Sequence, residues 1–324
     1  MAELLVESDV ATESVRLFEN RNFLMARLFP EEPVRGSITA KWDVLKMPRT
    51  VPPASVGGSP ATRRNPIVRS RKSFTMARIR LRDLAAGVDM RFGVMPGSQT
   101  ERYGMAAVRD KLFALTAEIE FAKEFARASA LTGSYVITYE DGTTVTVDLG
   151  FATTHKPTAG VTWATTTTNI IADIMTWKKL VQQDSGQDPA ELWIDDTVAG
   201  YLINNTTIQN YMKEPVNAGS LIRDGRLARL CGLDVVQYNG GYDASGTFTQ
   251  FIDSGHVIIV PRPADAGMQM LTGQSEDVRA ADNPGLFSKT WMEEDPSGIH
   301  CLVEQYFMPV IKVPDAVVYA DIVP

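Results

Sequence analysis

The chain has 324 residues, of which 44% are hydrophobic and 22% are charged, so it can bury a sizeable core and is not disordered by composition. Its formal net charge of −7 argues against a chain whose whole surface coats nucleic acid, because binding phosphate requires clustered Lys and Arg. Cys231 and Cys301 are isolated, and no apolar run approaches the ~20 residues of a membrane span. We therefore expect a soluble protein made in a cytoplasm, with both thiols reduced.

The first 35 residues indicate an extended arm with one short amphipathic segment. Apolar side chains between Phe23 and Phe29 fall within one or two helical turns, and Pro30 ends the segment because the residue before a proline disfavours helix. A helix this short is not stable alone in water. We expect the segment to dock on its own domain or on a neighbouring subunit.

The next segment is strongly basic. Turn-forming residues fill positions 51 to 60, and apolar and polar residues alternate from Phe74 to Leu81, the period of a half-exposed strand. This pattern predicts a long projecting loop of two strands, and an isolated hairpin is marginal in water, so a partner surface is expected. The segment has nine basic and no acidic residues, the basic ones being Arg49, Arg63, Arg64, Arg69, Arg71, Lys72, Arg78, Arg80 and Arg82.

A long helix is predicted to follow. Ser98 is a candidate N-cap with Glu101 three residues later, and apolar residues recur at steps of three and four from Met105 to Ala126. Gly133 is expected to end the helix. About 34 residues at ~1.5 Å each give a rod near 50 Å long, compared with an average helix of about a dozen residues.

The remainder mixes strands and helices in runs, which is typical of an α+β fold. The pattern predicts hairpins at Tyr135–Leu149 and between Leu233–Tyr238 and Phe248–Phe251, a helix at Asn169–Asp184, a buried strand at His256–Pro261, and C-terminal strands broken at Pro309 and Pro314.

No catalytic motif is recognisable: the chain has no phosphate-binding glycine loop, no G-x-S-x-G and no H-E-x-x-H. His300 and Cys301 are adjacent on a predicted strand and should point to opposite faces, which favours packing over a nucleophile pair. The isolated His155 and His256 predict no metal site. Asp195-Asp196 could bind a cation, but a helix N-terminus is favoured.

Two patches of sequence resemble lambda-type phage major capsid proteins, the phage capsid E family. Phe23-Leu24-Met25-Ala26-Arg27-Leu28-Phe29-Pro30 resembles the family's aromatic arm, F-L-x-x-R-F-F. The family's closing pattern is similar to Lys289-Thr290-Trp291 with Asp295-Pro296, Glu304-Gln305 leading to Pro309, and Pro314-Asp315-Ala316-Val317-Val318.

The resemblance implies the Hong Kong 97-like (Johnson) fold in four parts. These are an N-terminal arm at 1–35, an extended loop at 36–95, a peripheral domain with the long spine helix at 96–150 and 255–324, and an axial domain at 151–254. It further implies a structural, non-enzymatic protein without cofactor or metal, whose copies form the hexamers and pentamers of an icosahedral head shell.

The expected partners are a scaffolding protein and a portal during assembly, and packaged double-stranded DNA bound without sequence specificity. Assembly is expected in the bacterial host cytoplasm, residence in the virion capsid, and no contact with a membrane. Whether a decoration protein also binds the shell is an open question at this point. An encapsulin-like nanocompartment is an open alternative function, because a fold does not imply a function.

The arm and the basic loop are the predicted contacts between subunits. An Arg fork pairs carboxylates bidentately, so we expect the loop to lie over an acidic neighbour, while DNA contact and a solvated loop remain open alternatives. A covalent crosslink from Lys72 is disfavoured because nothing marks an acid catalyst beside it. The predicted contact residues are Phe23, Arg27, Phe29, Arg63, Arg64, Arg69, Arg71, Lys72 and Phe74.

Overall fold

The computed structural model describes residues 24–46, 51, 54, 57, 69–86, 99–213, 222–223, 226–244, 246–280, 284–294 and 297–323. Across these residues the helices are α1 (Gln99–Leu131), α2 (Ile170–Ser185), α3 (Asp196–Asn204), α4 (Thr206–Lys213) and α5 (Pro263–Ala266). Short 3₁₀ turns lie at Leu24–Arg27, Thr153–His155, Val278–Ala280 and Pro314–Ala316. None of the helices in these ranges is long and apolar enough to cross a bilayer.

The strands in the same ranges are β1 (Glu31–Pro33), β2 (Thr39–Leu45), β3 (Arg69–Thr75), β4 (Ala77–Ala86), β5 (Ser134–Thr138), β6 (Thr144–Asp148), β7 (Pro189–Ile194), β8 (Ile222–Arg223), β9 (Arg226–Leu227), β10 (Arg229–Leu230), β11 (Leu233–Gln237), β12 (Gly241–Ala244), β13 (Thr247–Gln250), β14 (His256–Pro261), β15 (Met268–Thr272), β16 (Phe287–Glu294), β17 (Ser297–Ile311) and β18 (Val318–Asp321). With the helices they confirm the predicted α+β class.

The main sheet is built around β17. Strand β4 pairs with one edge of β17, while β15 and β16 lie end to end along the other edge, and β1 pairs in parallel with β15. Every residue from His300 to Ile311 is buried, as expected for a central strand covered on both faces.

Strand β17 runs through Pro309, so the predicted break there is wrong. Opposite Pro309 lies Met270, whose N–H points the other way and donates to Pro30 O at 2.9 Å. The nitrogen of Pro309 therefore faces the far edge of β17, where β4 has already ended with Ala77 opposite Phe307. At this position proline removes no ladder hydrogen bond.

Helix α1 packs on β17 and β4. Leu112, Leu115 and Ile119 form an apolar cluster with Cys301 and Val303 of β17. The predicted long helix is confirmed: it ends at Leu131, and Gly133 follows with a positive φ of 91°. The predicted N-cap, Ser98, lies outside the described residues.

The second sheet has the order β10-β11-β7-β14-β18. Helices α2, α3 and α4 pack against it and form a second hydrophobic core with its strands. The buried strand predicted at His256–Pro261 is confirmed as β14. The predicted hairpin that joins Leu233–Tyr238 to Phe248–Phe251 is wrong. Strand β11 pairs in parallel with β7, and β12 forms its own hairpin with β13, for which Gly246 supplies the positive φ of 86°.

Helix α2 and the hairpin β5–β6 confirm their predictions. Asn169 caps α2 by accepting a hydrogen bond from the Ala172 N–H at 3.2 Å, and Gly186 ends the helix with a φ of 74°. Asp195 is likewise the N-cap of α3 and accepts from the Val198 N–H at 2.8 Å. This confirms the helix N-terminus interpretation of Asp195-Asp196.

Candidate inter-subunit surfaces

The hairpin β2–β3 has one apolar face and one basic face. Ala40, Trp42 and Val44 alternate along β2 and are buried in the main core cluster, which Phe74 of β3 joins from the same face. The outward positions are polar apart from Leu45, and Arg69 is exposed at the start of β3. Within the described residues this sheet has two strands, so its outer face stays on the surface of the isolated chain.

Arg71 remains available on this face although it has a partner in its own chain. Its Nε donates to Asp43 Oδ1 at 3.0 Å across the hairpin, and this hydrogen bond holds the pKa of Asp43 below its usual value. The side chain of Arg71 is nevertheless 74% exposed. A guanidinium with five donors can keep this pair and still bind a carboxylate of a second molecule.

Lys72 ties the hairpin to the end of β6. Its Nζ donates to the main-chain oxygen of Asp148 at 2.7 Å and lies 3.2 Å from Asp148 Oδ2. The pKa of Asp148 is lowered, first by the hydrogen bond from the Gly150 N–H and further by Lys72. Lys72 thus positions the base of the loop against its own chain.

We expect Asp148→Asn to destabilise the unassembled subunit at pH 7 by less than about 1 kcal/mol, because the pair with Lys72 is exposed. A lowered carboxyl pKa adds stability above the unfolded value of about 3.9, and that stability is lost as the pH falls through the folded value. The deficit in unfolding temperature should therefore shrink as the pH is lowered from 7 through the folded pKa of Asp148. A deficit that keeps the same size at every pH would contradict this charge-based origin.

The basic segment is divided between two sheets at Met76. Arg78 and Arg80 belong to β4 in the main sheet, and both pair with the buried Glu304 of β17, at 2.7 Å and 3.3 Å. Ser275 also donates to Glu304. Both arginines therefore have an acidic partner within their own chain. The sequence signal for this was a lone carboxylate in the apolar run of β17, and sequence reasoning did not connect it to β4.

Two arm residues in the predicted contact set dock on their own chain. Arg27 lies 2.7 Å from Glu191 and 5.2 Å above the ring of Trp193 in β7. Phe29 is 0% exposed in the main core, so it has no surface left for a neighbour in this conformation. Phe23, Arg63 and Arg64 lie outside the described residues.

A buried carboxylate joins the arm, the spine helix and the second sheet. Glu124 of α1 is 0% exposed and accepts hydrogen bonds from the Met25 N–H and the Tyr238 hydroxyl, both at 2.9 Å. Arg127, one turn along, donates to its other oxygen at 3.0 Å. The pKa of Tyr238 is raised by burial and by Glu124. Sequence reasoning missed this junction, because its partners come from three distant segments.

The His300-Cys301 pair is split between the faces of β17, as predicted. His300 stacks on Trp291 with ring centroids 5.0 Å apart, whereas Cys301 is buried beneath α1. His155 is buried too, with its ring nitrogens 3.1 Å from Val317 O and 3.1 Å from Asp184 Oδ2. Among the described residues, no three His, Cys, Asp or Glu side chains are grouped as a metal site requires.

The family model described as phage major capsid protein E matches residues 10–322. No curated protein sequence matches the chain.

Solved structures share the fold at low sequence identity. The putative capsid protein of a prophage of Escherichia coli CFT073 is 15% identical over 92% of both chains, with a TM-score of 0.66. A phage-related protein from Bordetella bronchiseptica RB50 is 12% identical over 97% of this chain and 96% of that one, with a TM-score of 0.57. The SrpI encapsulin from Synechococcus elongatus PCC 7942 is 11% identical over 94% and 88%, with a TM-score of 0.53.

Proposed function

Because this chain belongs to the phage major capsid protein E family and is a structural, non-enzymatic subunit of the virion capsid, we propose that neighbouring copies in its shell contact one another through the basic face of the hairpin β2–β3. The observation that carries the proposal is the division of this hairpin into a buried apolar face and an outer face with exposed Arg69 and Arg71. The basic residues Arg63 and Arg64 lie in the sequence that joins the two strands.

The electrostatic balance of the chain supports an acidic surface on the neighbour as the partner. The net charge is −7 although the segment from Arg49 to Arg82 has no acidic residue, so acidic surface lies elsewhere on each copy. One exposed ion pair contributes little, often under ~1 kcal/mol. When every subunit of a closed shell repeats the same contact, the summed free energy of assembly is nevertheless large. The role of this face therefore belongs to assembly and not to the folding of the subunit.

We expect replacement of Arg63, Arg64, Arg69, Arg71 and Lys72 by serine to abolish closed shells and to leave the subunit folded, since the lost pair between Lys72 and Asp148 is exposed and contributes under about 1 kcal/mol. Circular dichroism and thermal unfolding would report the fold, and negative-stain electron microscopy the shells. The matched control removes five exposed basic residues elsewhere, Lys156, Lys179, Lys213, Arg229 and Arg262, and so changes the net charge equally. Shells of wild-type appearance from the first variant would contradict the proposal. If neither variant forms shells, the change in net charge and not this face would explain the loss.

The alternatives for the basic face give different outcomes in the same experiment. If the face binds packaged DNA, the serine variant should form empty shells normally and retain less DNA. If the face is only solvated, shells and DNA content should both be unchanged. DNA contact would make the amount of retained DNA fall steeply with salt, because phosphate binding releases counterions.

Further expectations follow from the family alone. We propose hexamers and pentamers as building units, a scaffolding protein and a portal as assembly partners, and assembly in the host cytoplasm. The proposed four parts remain 1–35, 36–95, 96–150 with 255–324, and 151–254, although β14 and β18 pair within the same sheet as β7. Expression with and without the neighbouring genes, followed by electron microscopy of the particles, tests the need for partners.

An encapsulin-like compartment is the second function that this fold carries, since the Synechococcus encapsulin shares it. The match of the phage capsid family to residues 10–322 favours a phage head. Particles purified from the native host should contain phage DNA. Particles that instead contain one cellular enzyme would favour the compartment.

A further inference from the structure

A pocket of about 220 Å³ lies at the base of the hairpin, between β2 and one face of the main sheet. Lys41 and Trp42 line it on the hairpin side, and Gln269, Leu271 and Val310 line it on the sheet side. One water molecule needs only ~10–15 Å³ of such space. The pocket can therefore hold side chains or a short stretch of main chain.

The edge of β2 that borders this pocket has open hydrogen-bonding groups. The N–H of Leu45 points outward and donates to Lys312 O at 2.9 Å. Because hydrogen-bonding direction alternates along a strand, the main-chain groups of Asp43 and Lys41 point outward as well. Across the described residues no strand pairs with them, since β2 pairs with β3 on its other edge. An open edge of this kind is a template for adding a strand.

Two buried polar atoms in the pocket wall have no hydrogen-bond partner within the part of the chain that the structure describes. Trp42 is only 4% exposed, and its Nε1 finds no acceptor among the described residues, while Gln269 Oε1 is buried and finds no donor there. A peptide or carboxamide group carries both kinds of partner, since its oxygen accepts from an indole N–H and its N–H donates to an amide oxygen.

We propose that an extended segment of a second copy of this chain enters the pocket and pairs with the outward edge of β2. Its amide groups bond the outward main-chain groups of Lys41 and Asp43. The proposal deepens the proposed function, because the pocket is continuous with the hairpin whose basic face is proposed to contact a neighbour. It adds main-chain pairing, which gives affinity without any charge.

Lys41→Pro tests the pairing, because it removes an outward N–H and no hydrogen bond to β3. Proline is tolerated on a strand edge where its nitrogen faces solvent. Lys41→Ala is the matched control, since it removes the charge and keeps the N–H. We expect similar unfolding temperatures for the two unassembled variants, but a critical concentration for shell assembly that is about ten-fold higher for the proline variant. Equal critical concentrations would overturn the proposal.

Hydrogen–deuterium exchange of the wild type gives a readout that does not depend on how the proline variant folds. The amides of Lys41 and Asp43 should exchange more slowly in shells than in unassembled subunits. Unchanged exchange would also overturn the pairing. The two proposals fail separately, because the serine variant removes the basic face and keeps this edge, whereas Lys41→Pro keeps all five of those basic residues.

Discussion

Glu124→Ala is expected to lower the free energy of unfolding of the unassembled subunit by about 3–5 kcal/mol, because it breaks a buried ion pair by removing one partner. Arg127 is 2% exposed and would lose the carboxylate that accepts its Nη1 hydrogen bond. The Met25 N–H and the Tyr238 hydroxyl would lose their acceptor as well. Urea denaturation followed by circular dichroism measures the change.

Two variants separate this effect from a loss of helix propensity or of volume. Glu118→Ala removes an exposed carboxylate from the same helix and should change stability by no more than about 0.5 kcal/mol. The double variant Glu124→Leu with Arg127→Met removes both buried charges and should recover part of the loss, since apolar replacements of a buried pair are often neutral. A loss under about 1 kcal/mol for Glu124→Ala would show that the junction is not a stabilising element.

Phe29→Ala is expected to cost a similar amount, about 3–5 kcal/mol, through the cavity left by a fully buried aromatic ring. Phe248 offers a matched control because its side chain is 64% exposed in the hairpin β12–β13. Phe248→Ala should stay within about 0.5 kcal/mol of the wild type. Thermal and urea unfolding of the unassembled subunits compare the two.

The same experiment distinguishes two roles for Phe29. A core residue weakens the subunit itself when it is truncated. A contact between subunits leaves the unassembled subunit unchanged and weakens only the shell. If Phe29→Ala unfolds like the wild type and fails to form shells, then the arm adopts a different position in the assembly from the one described here.

Elements defined by neighbouring residues could be predicted from the sequence. The apolar spacing of α1, its end at Gly133 and the position of α2 depend on interactions between residues a few positions apart, so the sequence alone indicates them. The order of arm, basic loop and long helix, together with the terminal patches, was enough to recognise the capsid family.

Partner choice between distant segments was decided only by the tertiary structure. Glu304 is 226 residues away from Arg78 and Glu124 is 114 residues away from Tyr238, so no local pattern links them. Strand β11 was likewise predicted to pair with Phe248–Phe251, but in the fold it pairs with β7. Pairing depends on which strands the whole fold brings side by side, because edges with open main-chain groups accept many sequences.

Direction was the other property that the tertiary structure decided. Pro309 was predicted to break the strand, but its nitrogen faces an edge that carries no partner strand among the described residues, so β17 continues. Phe29 looked like a contact residue, but the arm turns it into the core of its own chain. The sequence by itself determined which residues are apolar, basic or able to end an element. The fold determined which way each one faces, because burial depends on the surfaces that all the other segments provide.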